Sequence, residues 1–325
     1  MKVVYSYTNP INSEFIPTEV LYIGVYSMLQ VIKLGGSVTL YSSEKLITKF
    51  KEIGLPVNEY KELNIDSDKY KLPFLAKLLA YSDQTEPFIH LDLDSVLFSK
   101  LPSIEYNDVV KFAHRDIKPG WGFDNLDGIY KAYFNPTFEL SKTVGSEVFF
   151  NLRLSDIPNM GIVQVSNPEV FKIATDKALD IYWKNYKFFD EDWARGCLLE
   201  QGLVHKFTMD IDSNYHSRVY KAEHFIFPEH IFLFIDELNG SYTVREWYTH
   251  KNIMFNSLKE LVDNYSFEHL PAVHFMGTSK YTDGVILIAL KKLIKEFGIK
   301  KLEKIEYYFG TGSKEYLQTY KDIFL

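Results

Sequence analysis

Two aspartates follow an apolar run near residue 90. The segment FIHLDLDSVLF, residues 88–98, places Asp92 and Asp94 two positions apart. On an extended strand, side chains at i and i+2 point the same way, so both carboxylates are predicted to aim at one point beyond the strand end. Two close carboxylates repel each other unless a positive charge lies between them. A hard divalent cation, Mn²⁺ or Mg²⁺, is the expected occupant, because such an ion prefers oxygen ligands and can neutralise a diphosphate leaving group.

The Asp-x-Asp pattern is weak alone, because it occurs at Asp66/Asp68, Asp92/Asp94, Asp190/Asp192 and Asp210/Asp212. Only the pair at 92 and 94 lies between two strongly apolar segments after alternating strands and helices. The pair at 210 and 212, which follows the short run Lys206–Met209, is the best rival. The remaining pairs are expected to be solvated turns.

Hydrophobic periodicity predicts strands alternating with helices up to the aspartates. The expected strands are Val3–Tyr7, Val38–Tyr41, Val57–Tyr60 and Phe88–Leu91, and the expected helices are Thr18–Leu34, Glu44–Ile53 and Leu72–Tyr81. Such alternation indicates an α/β domain with a largely parallel sheet. Ligands bind at the carboxyl ends of the strands in sheets of this kind, and the aspartates lie at such an end.

The second half of the chain is less regular. We expect a long loop over Lys111–Thr137, a strand over Gly161–Val165, and helices over Asn167–Tyr186, Asp192–Gln201 and Val285–Phe297. The predicted organisation is one domain over 1–283 and a C-terminal helical extension over 284–325. The last helix has an apolar face and three lysines, so we expect it to pack on the domain, with a peripheral membrane contact as the alternative.

Composition excludes several classes of protein. The 325 residues are 46% hydrophobic and carry a net charge of −7, which argues against nucleic acid as a partner because phosphate backbones call for a basic face. The single cysteine, Cys197, excludes an intrachain disulfide and a cysteine zinc site, and fits a reducing compartment. No signal peptide is visible, and no apolar run approaches the ~20 residues that span a bilayer. A cytoplasmic location is therefore expected.

Two families share the local aspartate pattern. The segment Asp92–Leu97 resembles the motif of haloacid-dehalogenase-like phosphatases, in which the first aspartate is a nucleophile and the second an acid/base. That motif normally lies on the first strand of its domain, whereas here several predicted elements precede it. No later Gly-Asp-x-x-x-Asp metal motif is found. A phosphatase is therefore the alternative interpretation.

Three further segments resemble nucleotide-sugar glycosyltransferases of the GT-A fold, in particular family 8. The segment HFMGTSK at 274–280 resembles their His-x-x-Gly-x-x-Lys motif. The segment PNMGIV at 158–163 resembles their Asn-x-Gly turn into a strand, and Leu199–Gln201 resembles their acidic-residue–Gln pair. The resemblance covers about residues 1–280, and it implies a Rossmann-like, mainly parallel central sheet flanked by helices.

The resemblance implies a metal and diphosphate site. Asp92 and Asp94 would bind Mn²⁺ or Mg²⁺ with His274 as the third protein ligand, and Asp92 would also lie beside the bound nucleotide-sugar. Gly277 would let the backbone approach the diphosphate, and Lys280 would supply it with a positive charge while leaving metal binding to the free protein unaffected.

The resemblance also implies a donor-sugar site. Thr8 and Asn9 would lie by the nucleotide base at the end of the first strand. Asn159, Glu200 and Gln201 would line the donor sugar as the catalytic group. Here Glu-Gln replaces the commoner Asp-Gln of the family.

The implied activity is transfer of a hexose from a nucleotide-sugar, expected to be a UDP-sugar, to a hydroxyl of a saccharide or another acceptor. Family 8 similarity implies retention of the anomeric configuration. A catalytically inactive module that binds sugar nucleotides is a further alternative. Acceptor binding is predicted for the loop 112–137, whose polar and aromatic residues include His114, Arg115, Asp116, Trp121, Phe123 and Asp124.

Overall fold

The computed structural model describes most of the chain. The described residues are 1–9, 15–63, 73–103, 109–115, 135–149, 157–189, 193–211, 226–227, 231–275, 280–309 and 316–325. The strands are β1 (Lys2–Tyr7), β2 (Ser37–Ser42), β3 (Glu59–Glu62), β4 (Phe88–Leu91), β5 (Ser95–Leu97), β6 (Val110–Arg115), β7 (Pro158–Val165), β8 (Leu233–Leu238), β9 (Ser241–Glu246), β10 (Lys251–Phe255) and β11 (Ala272–His274).

A six-stranded sheet forms the centre, in the order β3-β2-β1-β4-β7-β6. Strands β3, β2, β1 and β4 run parallel, whereas β7 is antiparallel to β4 and β6 is antiparallel to β7. Because β1 lies between β2 and β4, the chain ends that follow β1 and β4 meet at one edge of the sheet. The predicted α/β class with a mainly parallel central sheet is confirmed.

Helices cover both faces of this sheet. They are α1 (Thr18–Lys33), α2 (Glu44–Ile53), α3 (Phe74–Ser82), α4 (Asn135–Val144), α5 (Pro168–Lys184), α6 (Trp193–Cys197), α7 (Val204–Ile211), α8 (Leu258–Asn264), α9 (Asp283–Glu296), α10 (Ile299–Phe309) and α11 (Tyr316–Phe324). Alternate β1 residues face opposite sides. Val3 and Tyr5 pack with α1, α2 and the C-terminal helices, whereas Val4 packs with α3, α5 and α7.

Local signals explain the well-predicted helices. Helix α2 has the predicted bounds, because the Ser43 hydroxyl accepts from the Leu46 N–H at its start and Gly54 ends it at φ 67°. Asn167 caps α5 through the Val170 N–H and is followed by Pro168 at the first turn.

Several boundaries differ from the sequence prediction. The third strand covers Glu59–Glu62 instead of starting at Val57, and β7 begins at Pro158 instead of Gly161. The expected long loop from Lys111 is wrong at both ends, because β6 includes residues 111–115 and α4 begins at Asn135. These strands are set by pairing with distant partners, which a local pattern does not show.

Two smaller sheets complete the fold. Strands β8, β9 and β10 form an antiparallel sheet that the sequence analysis did not predict. Strands β5 and β11 pair antiparallel and bring residues 95–97 next to 272–274.

The C-terminal helices pack into the same core as the central sheet. The buried face of α9 includes Val285, Ile288 and Leu293, which belong to the apolar cluster that contains Val3 of β1. The predicted packing of this helix on the domain is therefore observed, while the division at residue 283 stays a prediction. Within the described ranges, no helix combines the length and the apolar character needed to cross a bilayer.

Candidate functional site

The two aspartates lie in a tight turn after β4. The Ser95 N–H donates to the Asp92 carbonyl at 2.9 Å, and Leu93 and Asp94 form the turn between them. The strand geometry from which the convergence of the two carboxylates was predicted therefore does not apply at 92–94. A turn places the two carboxylates by its own geometry rather than by the two-residue strand period.

Leu93 anchors this turn in the core. Its side chain is buried and touches helix α1 so closely that a Cβ at Gly24 would lie 2.8 Å from the Leu93 Cδ2. The Asp92 N–H also donates to the Gly161 carbonyl of β7 at 2.9 Å. Core packing and the neighbouring strand together fix the turn.

Pairing of β5 with β11 brings His274 to the aspartates. His274 lies opposite Ser95, and its N–H donates to the Ile231 carbonyl at 3.1 Å. One ligand atom from each of Asp92, Asp94 and His274 lies within 4.8 Å of the others. The structure thus brings together all three residues that the sequence analysis assigned to a metal.

The chemistry of these side chains fits a divalent ion. Two carboxylates and one imidazole form a mixed oxygen and nitrogen donor set that suits Mn²⁺. The His274 Nδ1 is buried and has no hydrogen-bond partner among the described residues, and its Nε2 lies 3.4 Å from the Asp94 Oδ1. The Nε2 faces the aspartates and is therefore the nitrogen placed to act as a ligand, while the Nδ1 packs against Gly161.

Gly161 makes room for the His274 ring. A Cβ at Gly161 would lie 2.6 Å from the His274 Nδ1 and Cε1. The Asn159 side-chain oxygen accepts from the Gly161 N–H at 2.9 Å, so this asparagine lies beside the cluster. The predicted Asn-x-Gly segment therefore has a physical role, because only glycine fits against the histidine.

Lys77 of α3, which was not among the predicted site residues, connects Asp92 with Glu200. Its Nζ lies 2.7 Å from the Asp92 Oδ1 and 2.5 Å from the Glu200 Oε1. Burial opposes the positive charge, but the carboxylates of Asp92 and Glu200 outweigh it and raise the pKa of Lys77 well above its usual value. The available signal was a single charge inside the apolar helix FLAKLLAYS.

Glu200 and Gln201 lie in a π-helical segment, Leu198–Leu203, between α6 and α7. Both side chains are buried, and Glu200 is 0% exposed. The prediction that this helix ends before Gly202 is wrong, because the helical stretch continues through α7 to Ile211. π-Helical turns widen a helix locally and are frequent at functional sites.

The ammonium group of Lys280 contacts the other aspartate of the pair, Asp94. Its Nζ donates to the Asp94 Oδ2 at 2.6 Å. Burial opposes the charge on Asp94, but the Lys280 ammonium and the His274 ring hold the pKa of this carboxyl well below its usual value. Burial likewise opposes the charge on Lys280, but Asp94 keeps the pKa of the lysine above its usual value.

The end of β1 lies at the same edge. Thr8 is buried, and the Asn9 side chain hydrogen-bonds to the Tyr7 hydroxyl. Thr8 and Asn9 follow β1, which pairs in parallel with β4, the strand that precedes Asp92. Gly277 lies outside the described residues.

His90 is a second buried residue that the sequence analysis did not assign. Its Nε2 lies 2.9 Å from the Ser6 hydroxyl of β1, and its Nδ1 lies 3.9 Å from the Asp92 Oδ1. Burial, with the nearby Lys77 ammonium, holds the pKa of His90 well below its usual value, so the ring is neutral. A neutral imidazole here adds no charge beside Asp92.

Of the other Asp-x-Asp pairs, only Asp210 lies among the described residues. Asp210 pairs with Lys206 one helical turn earlier, at 2.5 Å, and its partner Asp212 lies outside the described residues. In the part of the chain that the structure describes, Asp92, Asp94 and His274 form the only group of three or more potential metal ligands. Of the predicted acceptor loop, His114 and Arg115 end β6, while Asp116, Trp121, Phe123 and Asp124 lie outside the described residues.

The fold and the cluster together define an α/β protein with a candidate cation site at the carboxyl edge of its central sheet. A profile of DUF6734, a family of unknown function, matches residues 21–226, which is more than half of the chain. The chain belongs to this family. No curated protein matches it.

Several solved structures of glycosyltransferases resemble this one. The galactosyltransferase LgtC, solved with donor and acceptor sugar analogs, has 9% identity and a TM-score of 0.41, with 98% of this chain and 100% of that chain covered. Mouse xyloside xylosyltransferase 1 has 12% identity and a TM-score of 0.35, with 64% of this chain and 84% of that chain covered. GlyE of Streptococcus pneumoniae TIGR4 has 11% identity and a TM-score of 0.40, with 99% of this chain and 64% of that chain covered. At these TM-scores the similarities carry no weight for an assignment of activity.

Proposed function

We propose that this protein is a metal-dependent glycosyltransferase that moves a hexose from a nucleotide-sugar, a UDP-sugar, to an acceptor hydroxyl. The observation that carries the proposal is the convergence of Asp92, Asp94 and His274 within 4.8 Å at the carboxyl edge of the sheet. Two lysines flank this cluster: Lys77 holds Asp92 in place, and Lys280 is placed to meet an anionic substrate.

In this proposal Asp92, Asp94 and His274 hold Mn²⁺ or Mg²⁺. When bound, the ion neutralises the negative charge that develops on the departing diphosphate. Lys280 adds a point charge for the same diphosphate, and Gly277 lets the backbone approach it. Thr8 and Asn9, at the end of the neighbouring strand, contact the base.

Asn159, Glu200 and Gln201 form the donor-sugar side of the proposed site. Glu200 is linked to the cation side through Lys77, which holds Glu200 and Asp92 at 2.5 Å and 2.7 Å. A buried lysine held by two carboxylates is well ordered, and an ordered partner fixes the orientation of both acids. The amide groups of Asn159 and Gln201 can exchange hydrogen bonds with sugar hydroxyls.

The transfer step requires no strong base on the protein. The bond between the anomeric carbon and the diphosphate oxygen breaks, and a bond from the acceptor oxygen to the same carbon forms on the same face of the sugar. The proton of the acceptor hydroxyl passes to the departing phosphate oxygen. This route gives the retention that the family 8 resemblance implies.

A donor screen tests the proposal. The full chain is incubated with Mn²⁺ and a panel of nucleotide-sugars, and release of free nucleotide is measured together with release of phosphate from simple esters. Turnover of one donor, lost in Asp94→Asn, is expected. Binding of a donor without turnover would indicate an inactive module, and ester hydrolysis would indicate a phosphatase. Proton NMR of the anomeric signal in the product reports retention or inversion.

A further inference from the structure

We propose that Lys280 and the divalent ion compete for Asp94, so that Lys280 restrains metal binding until a diphosphate draws its ammonium away. The inference rests on the proposed function, because it assumes the metal and diphosphate roles of this site. It departs from the sequence prediction, in which Lys280 serves the diphosphate and leaves the metal unaffected.

The Asp94 carboxylate already has two partners in the protein without metal. The Lys280 ammonium lies 2.6 Å from Oδ2, and the His274 Nε2 lies 3.4 Å from Oδ1. The side chains of Lys280 and Asp94 are only 23% and 11% exposed, so little water screens their interaction. The lysine therefore neutralises one of the two carboxylates that the metal requires.

The positive charges of the ion and of the Lys280 ammonium oppose each other at this site. A divalent ion among Asp92, Asp94 and His274 would place two positive charges within a few ångströms of the Lys280 ammonium. Like charges at that distance repel strongly in a poorly screened site. The ion and the ammonium therefore weaken each other's interaction with Asp94, even where they contact different oxygens of the carboxylate.

Lys280, unlike Lys77, can move away from the carboxylate that it contacts. Lys77 is held by Asp92, Glu200 and the Met160 carbonyl, and its side chain is only 11% exposed. The Lys280 ammonium has one hydrogen-bond acceptor among the described residues, the Asp94 carboxylate. Lys280 also has a flexible four-carbon stem, so it can move to a diphosphate without a backbone shift.

Competition couples the two ligands. A diphosphate that engages Lys280 removes the competitor from Asp94, so the diphosphate raises the affinity for the metal. By thermodynamic linkage, the metal raises the affinity for the diphosphate by the same factor. Lys280 would thus make the free protein a weak metal binder and the nucleotide-loaded protein a strong one.

The test begins with Mn²⁺ alone and the full chain. Free Mn²⁺ is counted by electron paramagnetic resonance during titration of the parent, Lys280→Met, Lys280→Arg and the control Lys295→Met, which removes one exposed positive charge on α9. We expect Lys280→Met to bind Mn²⁺ about tenfold more tightly than the parent, within the usual range of coupling between sites. Lys280→Arg and Lys295→Met should resemble the parent.

Two further measurements separate competition from a structural role. Without metal, Lys280→Met should have a lower Tm than the parent, because the two aspartates lose a neutralising partner. With UDP present, and with the association of Mn²⁺ and UDP measured separately, the parent should gain metal affinity and Lys280→Met should gain far less. A change that merely loosened the fold would lower both the Tm and the affinity for Mn²⁺.

The outcomes test the competition separately from the proposed metal site. If the parent binds Mn²⁺, Asp94→Asn abolishes this binding and Lys280→Met binds no more tightly than the parent, the competition is overturned and the metal site stands. If neither the parent nor Lys280→Met binds Mn²⁺, with or without UDP, both the competition and the proposed metal dependence are overturned. Tighter binding by Lys280→Met with a lowered Tm supports the competition.

Discussion

Lys77 and Glu200 form a buried ion pair, with 2.5 Å between Nζ and Oε1, although 123 residues separate them in the chain. Lys77 also binds Asp92, so this one ammonium connects helix α3, the turn after β4 and the π-helical segment. The proposed cation side and the proposed sugar side of the site are therefore held in one hydrogen-bonded unit. Because every member is buried or nearly so, removal of one charge leaves another uncompensated.

The first prediction concerns this ion pair. Lys77→Met should lower the free energy of unfolding by about 3–5 kcal/mol, because it leaves the buried Glu200 and the partly buried Asp92 as unpaired like charges. The double variant Lys77→Met/Glu200→Gln should recover part of that loss. Urea unfolding measures both. The control is Lys61→Met, which breaks the more exposed pair with Asp83 and should cost no more than about 1 kcal/mol.

An equal, small cost for Lys77→Met and Lys61→Met would contradict the ion pair as described. A double variant that is less stable than Lys77→Met would show that Glu200 is stabilised by other contacts. In either case Lys77 would not be the residue that connects the cation side of the proposed site with its sugar side.

The sequence predicted the elements that local signals specify. Helix α2 was predicted with the bounds it has, because a serine cap and a glycine stop define its ends. Strand β4 was likewise predicted, because a short apolar run between turn residues has few other interpretations. The parallel direction of these strands follows from their alternation with helices, whereas their order in the sheet was not predicted.

The rest depends on contacts between distant segments. Strands β5 and β11 have three residues each and pair across more than 170 positions, so no local pattern reveals them. The metal-type cluster was nevertheless predicted, since the His-x-x-Gly-x-x-Lys resemblance pointed to His274. Lys77 was missed because its partners, Asp92 and Glu200, lie far along the chain, and because a lone lysine in a helix usually lies on the surface.

The second prediction concerns the metal ligands. Asp92→Asn and Asp94→Asn keep the shape of each side chain but remove its charge, so both should lose Mn²⁺ affinity and donor turnover by at least ~100-fold, because even outer-shell changes at metal sites cost ~10–100-fold. His274→Ala should lose affinity in the same range. Calorimetric titration with Mn²⁺ and nucleotide release measure these effects.

Asp210→Asn is the control for the rival aspartate pair, because Asp210 pairs with Lys206 on α7. It should retain the Mn²⁺ affinity and the turnover of the parent. If Asp210→Asn loses Mn²⁺ affinity and turnover while Asp92→Asn and Asp94→Asn retain them, the metal site lies at Asp210 and Asp212 instead. Circular dichroism of each variant checks that the fold is intact.

The third prediction concerns pH and lies away from the proposed site. Glu246 is buried at the end of β9, and it accepts hydrogen bonds from Thr249 at 2.5 Å, Tyr265 at 2.7 Å and His269 at 2.8 Å. Burial opposes the charge on Glu246, but these hydrogen bonds and the nearby His269 ring hold its pKa below the usual value. A carboxyl whose pKa is lower in the folded state stabilises the fold above its unfolded pKa of about 4.3, and this stabilisation is lost as pH falls through the folded pKa.

Glu246→Gln should therefore cost about 2 kcal/mol at neutral pH, the scale of hydrogen bonds to a charged group. The difference from the parent should shrink as the pH falls below about 4.3. Urea unfolding across this pH range measures the difference. Glu303→Gln, at an exposed pair with Lys321, should stay within about 0.5 kcal/mol of the parent, and a pH-independent cost for Glu246→Gln would contradict the charge as its cause.

The fourth prediction concerns the glycine that faces the proposed histidine ligand. Gly161→Ala would place a Cβ 2.6 Å from the His274 Nδ1, so the ring must shift from its present position beside Asp94. Metal affinity should fall by ~10–100-fold, as it does when the support of a metal ligand is disturbed. Gly284→Ala is the matched control, because its Cβ would meet the Leu261 Cδ2 at 2.7 Å, in the core and away from the aspartates. Both variants should have a lower Tm, because both overpack a buried contact. Only Gly161→Ala should lose Mn²⁺ affinity, and equal Mn²⁺ affinity in the two variants would mean that His274 does not bind the ion.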